Sequence, residues 1–412
     1  MQNPLTRLLR RLLALSGIFL SFSCADLSKS SGLAPAPPPQ DPRPLAEPLP
    51  DPPPEPEPPP SYATLAAAGD NLIHKEIYQS VLRDTVYHFA PLYAGIRPYI
   101  EAADIAFINQ ETPLAGESFG YSGYPRFNSP QELGAALADA GFDVINHANN
   151  HSMDMGEAGV LATRAYWDAL PNIACLGIHQ SSLARQEGQV IIEKNHITIG
   201  FLAYTYGTNG IPLPRDKPYL ISLTNTAIMS QEIDALRKRC DFLVVSMHWG
   251  NEYQSSPDPA QERLAAFLAE RQVDLVIGHH PHVLQGISLI PRPGGKTMLC
   301  FYSLGNCISA QTQDPTLLGG LAYVKIKKLP PREGGGVSIE DYGVIPIVTH
   351  YERNYTGFQA YPLHEYPAGL AARHGRKLRG GGFSKAYCEA LAAQILGDRL
   401  IRHNPFLPGS AD

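Results

Sequence analysis

The sequence lacks the devices that hold small secreted domains together. Its 412 residues include six cysteines, none in a CxxC pair. Setting Cys24 aside leaves Cys175, Cys240, Cys300, Cys307 and Cys388, an odd number. A disulfide framework is therefore not expected. Most of these residues sit in apolar stretches, where cysteine acts as a small buried hydrophobe. A basic surplus is missing too. Charged residues make up 17% and the formal net charge is −6, which argues against a nucleic-acid partner. No internal repeat is evident, so a solenoid is not indicated. What is abundant is apolar residue, at 44%. That suffices for a sizeable core in one large domain or two.

The N-terminus is specialised. Arg7, Arg10 and Arg11 precede an apolar stretch of about a dozen residues, too short for a spanning helix. It ends at Ser23-Cys24, so residues 1–24 read as a lipoprotein-type signal peptide with Cys24 lipidated after cleavage. An ordinary secretory signal with an incidental cysteine is the alternative. Residues 25–60 are dense in proline with scattered acids, a tether that favours extended polyproline II. Together these segments predict an exported, membrane-anchored lipoprotein of the bacterial envelope.

From residue 61 the pattern is α/β. Apolar runs such as "SYATLAAAGD", "ADIAFINQE", "FDVINHANNH", "CDFLVVSMHWGNE", "VDLVIGHHPH" and "TMLCFYSLGN" alternate with helical stretches. Those helices are expected near 73–84, 91–101, 130–139, 155–169, 226–239 and 258–271. Continuous apolar strands alternating with helices indicate buried sheets. Residues 173–204 and 321–349 read as antiparallel strands. The main domain is placed at 61–350, followed by an extension, 351–412, with a closing helix near 384–400.

Each apolar run stops at polar, ligand-type residues. These are Asp70; Asn109 and Glu111; Asn146, His147, Asn149, Asn150, His151 and Asp154; His248 and Glu252; His279, His280 and His282; then Ser303 and Asn306. In α/β sheets, sites assemble at the carboxyl ends of strands. Single members have plain structural readings. Asp70 fits a turn, His147 a satisfied strand-end histidine, and Asp154 a helix cap with Glu157 three residues on. Three histidines in four positions after a buried strand have no such reading, and favour binding of metal or phosphate. The donors are Asp, Glu, Asn and His without thiolate. That set suits one or two Mn²⁺, Zn²⁺ or Fe ions. Two close cations can activate water and stabilise a phosphoryl oxygen, with His151 as proton donor.

The ordered motifs "AAAGDNLI", "FINQETPL", "NHANNHSMDMG", "HWGNEY", "GHHPHV" and "YSLGN" resemble the CapA family of capsule and poly-γ-glutamate synthesis proteins, related to calcineurin-like metallophosphoesterases. The resemblance implies a metallophosphatase-like sandwich of two mixed β-sheets flanked by helices. It implies Asp70, Glu111, Asn150, His248, His280 and His282 as metal ligands. His151 is implied as catalytic acid, and Glu252 also enters the catalytic set. Asn109, Asn149, Asp154, Ser303 and Asn306 are assigned to the pocket. Two departures stand out. Asp-x-His reads Asp70-Asn71-Leu72, with His74 displaced toward a helix start, and Ser152 replaces the acid after Asn150-His151. The expected function is a part in synthesis or anchoring of a capsule or poly-γ-glutamate-type polymer, through a metal-dependent hydrolase centre acting on a phosphoester or amide. The alternative is a non-catalytic accessory or polymer-binding role. Expected partners are the membrane, through the N-terminal lipid, an anionic envelope polymer, and capsule-synthesis membrane proteins.

Overall fold

The computed structural model describes residues 58–407. The leader, Cys24 and all but the last three residues of the tether lie outside the described residues. The strands, in chain order, are β1 (Ser61–Leu72), β2 (Leu82–Arg83), β3 (Val86–Tyr87), β4 (Ile105–Gln110), β5 (Val144–Asn146), β6 (Ala174–Leu176), β7 (Val190–Lys194) and β8 (Ile197–Thr205). They continue with β9 (Phe242–His248), β10 (Leu275–His279), β11 (Ile287–Pro291), β12 (Thr297–Phe301), β13 (Asn306–Ser309), β14 (Leu318–Lys328), β15 (Val337–Glu352) and β16 (Thr356–Pro362). The first sheet has the order β16-β15-β14-β1-β4-β5-β6, with β13 also paired to β1. The second runs β11-β12-β10-β9-β8-β7. Both are mixed, and helices flank them, as the sequence implies. One detail differs: β6 pairs parallel to β5, so only the later part of 173–204 is an antiparallel hairpin.

Side-chain alternation explains the layers. In β9, Phe242 and Val244 join the core between the sheets, with Phe107, Ile277 and Leu299. Leu243, Val245 and Met247 point the other way. They pack under α6 (Thr226–Arg237) and α7 (Pro259–Glu270) through Met229, Ile233, Leu268 and Ala269. Successive strand residues face opposite sides, so a strand buried on both must be apolar throughout. Asn225 caps α6, and Asp258 with Gln261 forms a capping box on α7. These caps satisfy backbone N–H groups at the helix starts.

Two expected helices are shorter. The 73–84 stretch gives α1 (Lys75–Ser80), begun by His74, then the β2–β3 turn with Asp84 and Thr85 at positive φ. The 91–101 stretch splits into a 3₁₀ turn (Ala90–Tyr93) and α2 (Arg97–Glu101). Each half carries a proline in its first turn, where a missing N–H costs nothing. Helices α3 (Glu132–Asp139), α4 (Gly156–Asp168) and α5 (Ser182–Glu187) complete the set before the C-terminal region.

The boundary drawn at 350 falls inside β15, and β16 extends the same sheet. Beyond it lie α8 (Ala368–Arg373), α9 (Gly375–Leu378) and α10 (Lys385–Leu396). His374 ties this region to β15 through a 3.1 Å contact of Nε2 with the Thr349 carbonyl. Among the described residues no helix is long and apolar enough to cross a membrane.

Candidate metal centre

Four parallel strands of each sheet end on one rim, and the polar tips meet there. Strand β1 is the pivot. Its first residues pair with β14, and its register shifts between Ala68 and Asp70. From Asp70 onward it pairs with β13 instead. The close approach requires Gly69, since a Cβ there would lie 2.0 Å from the Gly305 carbonyl oxygen. The break turns the Asp70 carboxylate inward, fully buried.

Asp70 is held from several sides. Asn109 Nδ2 donates to its Oδ1 at 2.8 Å, and the His280 backbone N–H donates to Oδ2 at 3.2 Å. Asn146 Nδ2 in turn donates to Asn109 Oδ1 at 2.9 Å, which fixes the Asn109 amide. His282 Nδ1 lies 3.0 Å from Asp70 Oδ2 and 3.1 Å from Asn306 Oδ1. Its Nε2 faces Glu111 Oε1 at 3.7 Å. Both His280 and His282 have positive φ, at 98° and 59°. Such backbone is unfavourable for a non-glycine residue and persists only where surrounding contacts hold it.

Glu111 occupies the middle. It is fully buried, and neither carboxylate oxygen has a hydrogen-bond partner. His248 Nε2 is 3.7 Å from its Oε1 and 2.9 Å from Asn150 Oδ1. Ligand-capable atoms form three overlapping groups: Asp70, Glu111 and His282; Glu111, His248 and His280; and Glu252, His280 and His282. Within each group these atoms lie within 4.8 Å of one another. The first two groups share Glu111. A buried unpaired carboxylate is costly unless a cation meets it, and carboxylate with imidazole suits a divalent transition metal. The residues present therefore fit a metal centre.

Electrostatics agree. Burial lifts the Glu111 carboxyl well above its usual range, only partly countered by His282. Burial also raises Asp70, but hydrogen bonds from His279 and His282 outweigh it and hold Asp70 well below the ordinary value. Burial, then the nearby His282 charge, depresses His280 to about 3. His282 is opposed by burial, yet Glu111 and Asp70 raise it to about 9.

His151 stands beside this cluster. Its Nδ1 is 2.8 Å from Asp154 Oδ2, which also accepts the Phe127 N–H at 2.7 Å. The capping role read for Asp154 is corrected. The N-cap of α4 is Met155, without a side-chain bond, and Gly156 enters the helix at φ 65°. The Asp154 carboxylate is committed to His151 instead. Ser303 is corrected too: its Oγ donates to the Val283 carbonyl and accepts the Gly305 N–H, so it braces a turn rather than lining the site. Asn149 braces the 149–152 loop, with Nδ2 on the Gln110 carbonyl and Oδ1 on the His151 N–H. His147 is a core histidine that accepts the Trp167 indole N–H at 2.7 Å. Glu252 is exposed at the mouth.

The sequence profile described as "Bacterial capsule synthesis protein PGA_cap" matches residues 64–311, more than half of the chain. The chain belongs to the PGA_cap family. This PGA_cap protein is 28% identical over 290 residues to the capsule biosynthesis protein CapA of Bacillus anthracis, covering 66% of this chain and 68% of that one. It is 29% identical over 242 residues to the PGA biosynthesis protein CapA of Bacillus subtilis (strain 168), covering 58% and 61%. Among solved structures it overlaps the NAD nucleotidase of Haemophilus influenzae at 12% identity and a TM-score of 0.44, over 71% of this chain and 58% of that one. A putative 5'-nucleotidase from Staphylococcus aureus gives 16% identity and a TM-score of 0.41, over 70% and 55%.

Several members of the PGA_cap site carry no signal in the strand tips. Tyr206 and Asn209 come from the loop after β8. The Tyr206 ring lies 4.8 Å from that of His280 and stacks within 8° of parallel to His248. Asn150 Nδ2 donates to Asn209 Oδ1 at 3.2 Å, which turns Asn150 Oδ1 toward His248. His279 backs Asp70 from the core side, stacked on Phe107 with Nδ1 3.4 Å from Asp70 Oδ1, and belongs to none of the three ligand groups. Asn71, the middle residue of Asp70-Asn71-Leu72, donates to Gln110 and accepts from Tyr93, so it leaves the cluster.

Proposed function

We propose that this chain is a divalent-metal-dependent hydrolase of the cell envelope, acting on a phosphoester or an amide in an anionic capsule-type polymer. Glu111 carries the reading: a fully buried carboxylate, without hydrogen-bond partners, shared by two ligand groups. Asp70, Glu111 and His282 would hold one ion; Glu111, Asn150, His248 and His280 would hold a second. Bound there, Mn²⁺, Zn²⁺ or Fe would supply Lewis-acid chemistry and a more acidic water. The chain's own residues prepare the rest. Asn109 and Asn306 orient Asp70 and His282. Asp154 Oδ2 accepts a hydrogen bond from the Nδ1–H of His151, which leaves Nε2 to exchange a proton with a leaving oxygen or nitrogen. With Asn71 turned away and Leu72 buried, the first group has three protein donors, which is usual where a ligand position stays open.

The second reading, a non-catalytic polymer-binding accessory, is favoured by the same gap in the Asp-x-His pattern. A Mycobacterium tuberculosis relative, 25% identical over 194 residues, is named a probable polyglutamine synthesis accessory protein. Metal content by mass spectrometry separates the two. The hydrolase reading expects one to two equivalents in the wild type, lost in His280→Ala/His282→Ala without unfolding. A metal-free wild type after supplementation with Mn²⁺ or Zn²⁺ sinks it. The envelope location rests on the lipid at Cys24 and on the expected capsule-synthesis membrane partners. Cys24→Ala is expected to leave the membrane fraction, and a variant that stays there counts against the anchor.

A further inference from the structure

The C-terminal segment beyond the profile match carries charge of the opposite sign to the chain. Between Glu365 and Glu389 there is no acid, while Arg373, Arg376, Lys377, Arg379 and Lys385 are all basic. The whole chain is at −6, so this is local design rather than composition. Two of these cations are pinned. Arg373 Nε lies 3.2 Å from Glu352 Oε1, and Arg376 Nε 2.6 Å from Asp314 Oδ1. Lys377 and Arg379 are exposed and have no ion-pair partner among the described residues. The Arg379 guanidinium sits 4.0 Å over the Tyr355 ring, in the β15–β16 turn that also presents Arg353, itself without an ion pair among the described residues.

The fold places this patch on the rim that holds the metal cluster. Leu318 begins β14 next to the Asp70 end of β1, and it pairs with Val348 of β15. The last residues of β15 and the turn 353–355 therefore project past that rim. At ordinary strand spacing β15 is about 10 Å from β1. A chain of contacts makes the link. His282 meets Asn306, Asn306 Nδ2 donates to Gln311, and a few residues on Asp314 is paired with Arg376.

The geometry points to a cationic track for a linear polyanion, formed by Arg353, Lys377 and Arg379 and held in place by Arg373 and Arg376. The free cations come from two segments and lie on an open surface, so they suit an extended ligand with repeating carboxylates or phosphates better than a small enclosed one. Paired bases nearby keep the segment from turning its charge inward. The assignment rests on the proposed function only for what happens to the polymer at the metal centre, not for its binding to the track.

The test uses the full chain and measures binding to poly-L-glutamate and to inorganic polyphosphate across a salt series. The wild type is expected to bind at least one of them with affinity that falls as salt rises. Lys377→Glu/Arg379→Glu should weaken that binding at least tenfold and flatten the salt dependence, with metal content and melting temperature unchanged. Chelated protein and His280→Ala/His282→Ala should still bind, which separates the track from the metal centre. Preference between the two polymers distinguishes carboxylate from phosphate chains. Charge-reversed protein that binds like the wild type overturns the track. So does a wild type that binds phosphatidylglycerol vesicles and neither polymer, since the surface would then serve a lipid.

Discussion

Glu111→Gln separates two opposite effects of one charge. The substitution keeps shape and removes the carboxylate. In metal-free protein burial works against the Glu111 charge, and the neighbouring His282 offsets this only in part. The amide leaves neutral polar atoms instead, at about 1–3 kcal/mol. The metal-free Gln variant should therefore melt at or above the wild type. With metal the order reverses. Free cation at about 1,000 times its dissociation constant adds about 4 kcal/mol to the wild type. An unfolding entropy of about 2.1 cal/mol/K per residue, over residues 58–407, converts that to roughly 6 °C. If the variant loses about a thousandfold in affinity, its shift falls to under about 1 °C. Thermal melts with and without chelator, beside metal titration calorimetry, read both effects. A Gln variant that keeps the full metal-dependent shift removes Glu111 from the centre. One that loses several degrees without metal shows that the protein itself satisfies the carboxylate.

Under the proposed hydrolase reading, Asp154→Asn is expected to lower turnover of a phosphodiester or γ-glutamyl amide about a hundredfold or more, while metal content stays constant. Metal loss in step with activity would place Asp154 among the ligands. His350 and His374 give a pH prediction independent of the centre. Burial is the main cause that holds each to about 4, below the ordinary value near 6.5. The unfolded chain takes up these protons first, so the stability of this region should fall as pH drops from about 6.5 to 4. Hydrogen exchange should then quicken in α8–α10 and the end of β15 before the rest of the sheets; equal protection throughout down to pH 4 contradicts it.

The sheets were legible because their strands are buried on both faces. Phe242–His248 or Leu275–His279 has no other reading as a continuous apolar run with a polar tip. The convergence of the tips was legible for the same reason. Pairing within the site was not. Asp154 carries a spacing that serves a helix cap equally well, and only the approach of His151 and of the Phe127 N–H decides its role. Asn209 sits in a loop of the second sheet, and its neighbours Asn150 and His151 come from the first. Such contacts depend on how two layers stack, which period and propensity do not encode. The prolines at 91 and 98 did mark where one expected helix became two, but a helical pattern across them masked the break.

The left-handed backbone at His280 and His282 limits how this centre can change its metal. A substitution there must keep a donor and accept positive φ. Among residues other than glycine, asparagine and aspartate adopt that region most readily, and both bring oxygen. Cysteine gains nothing from that backbone and has no short polar group to bond locally. Mutational drift at these two positions is thus channelled from imidazole toward oxygen donors, and so toward harder ions such as Mn²⁺ or Mg²⁺. A route to soft, thiolate-bound metal through these two positions is disfavoured by the backbone before any question of chemistry arises.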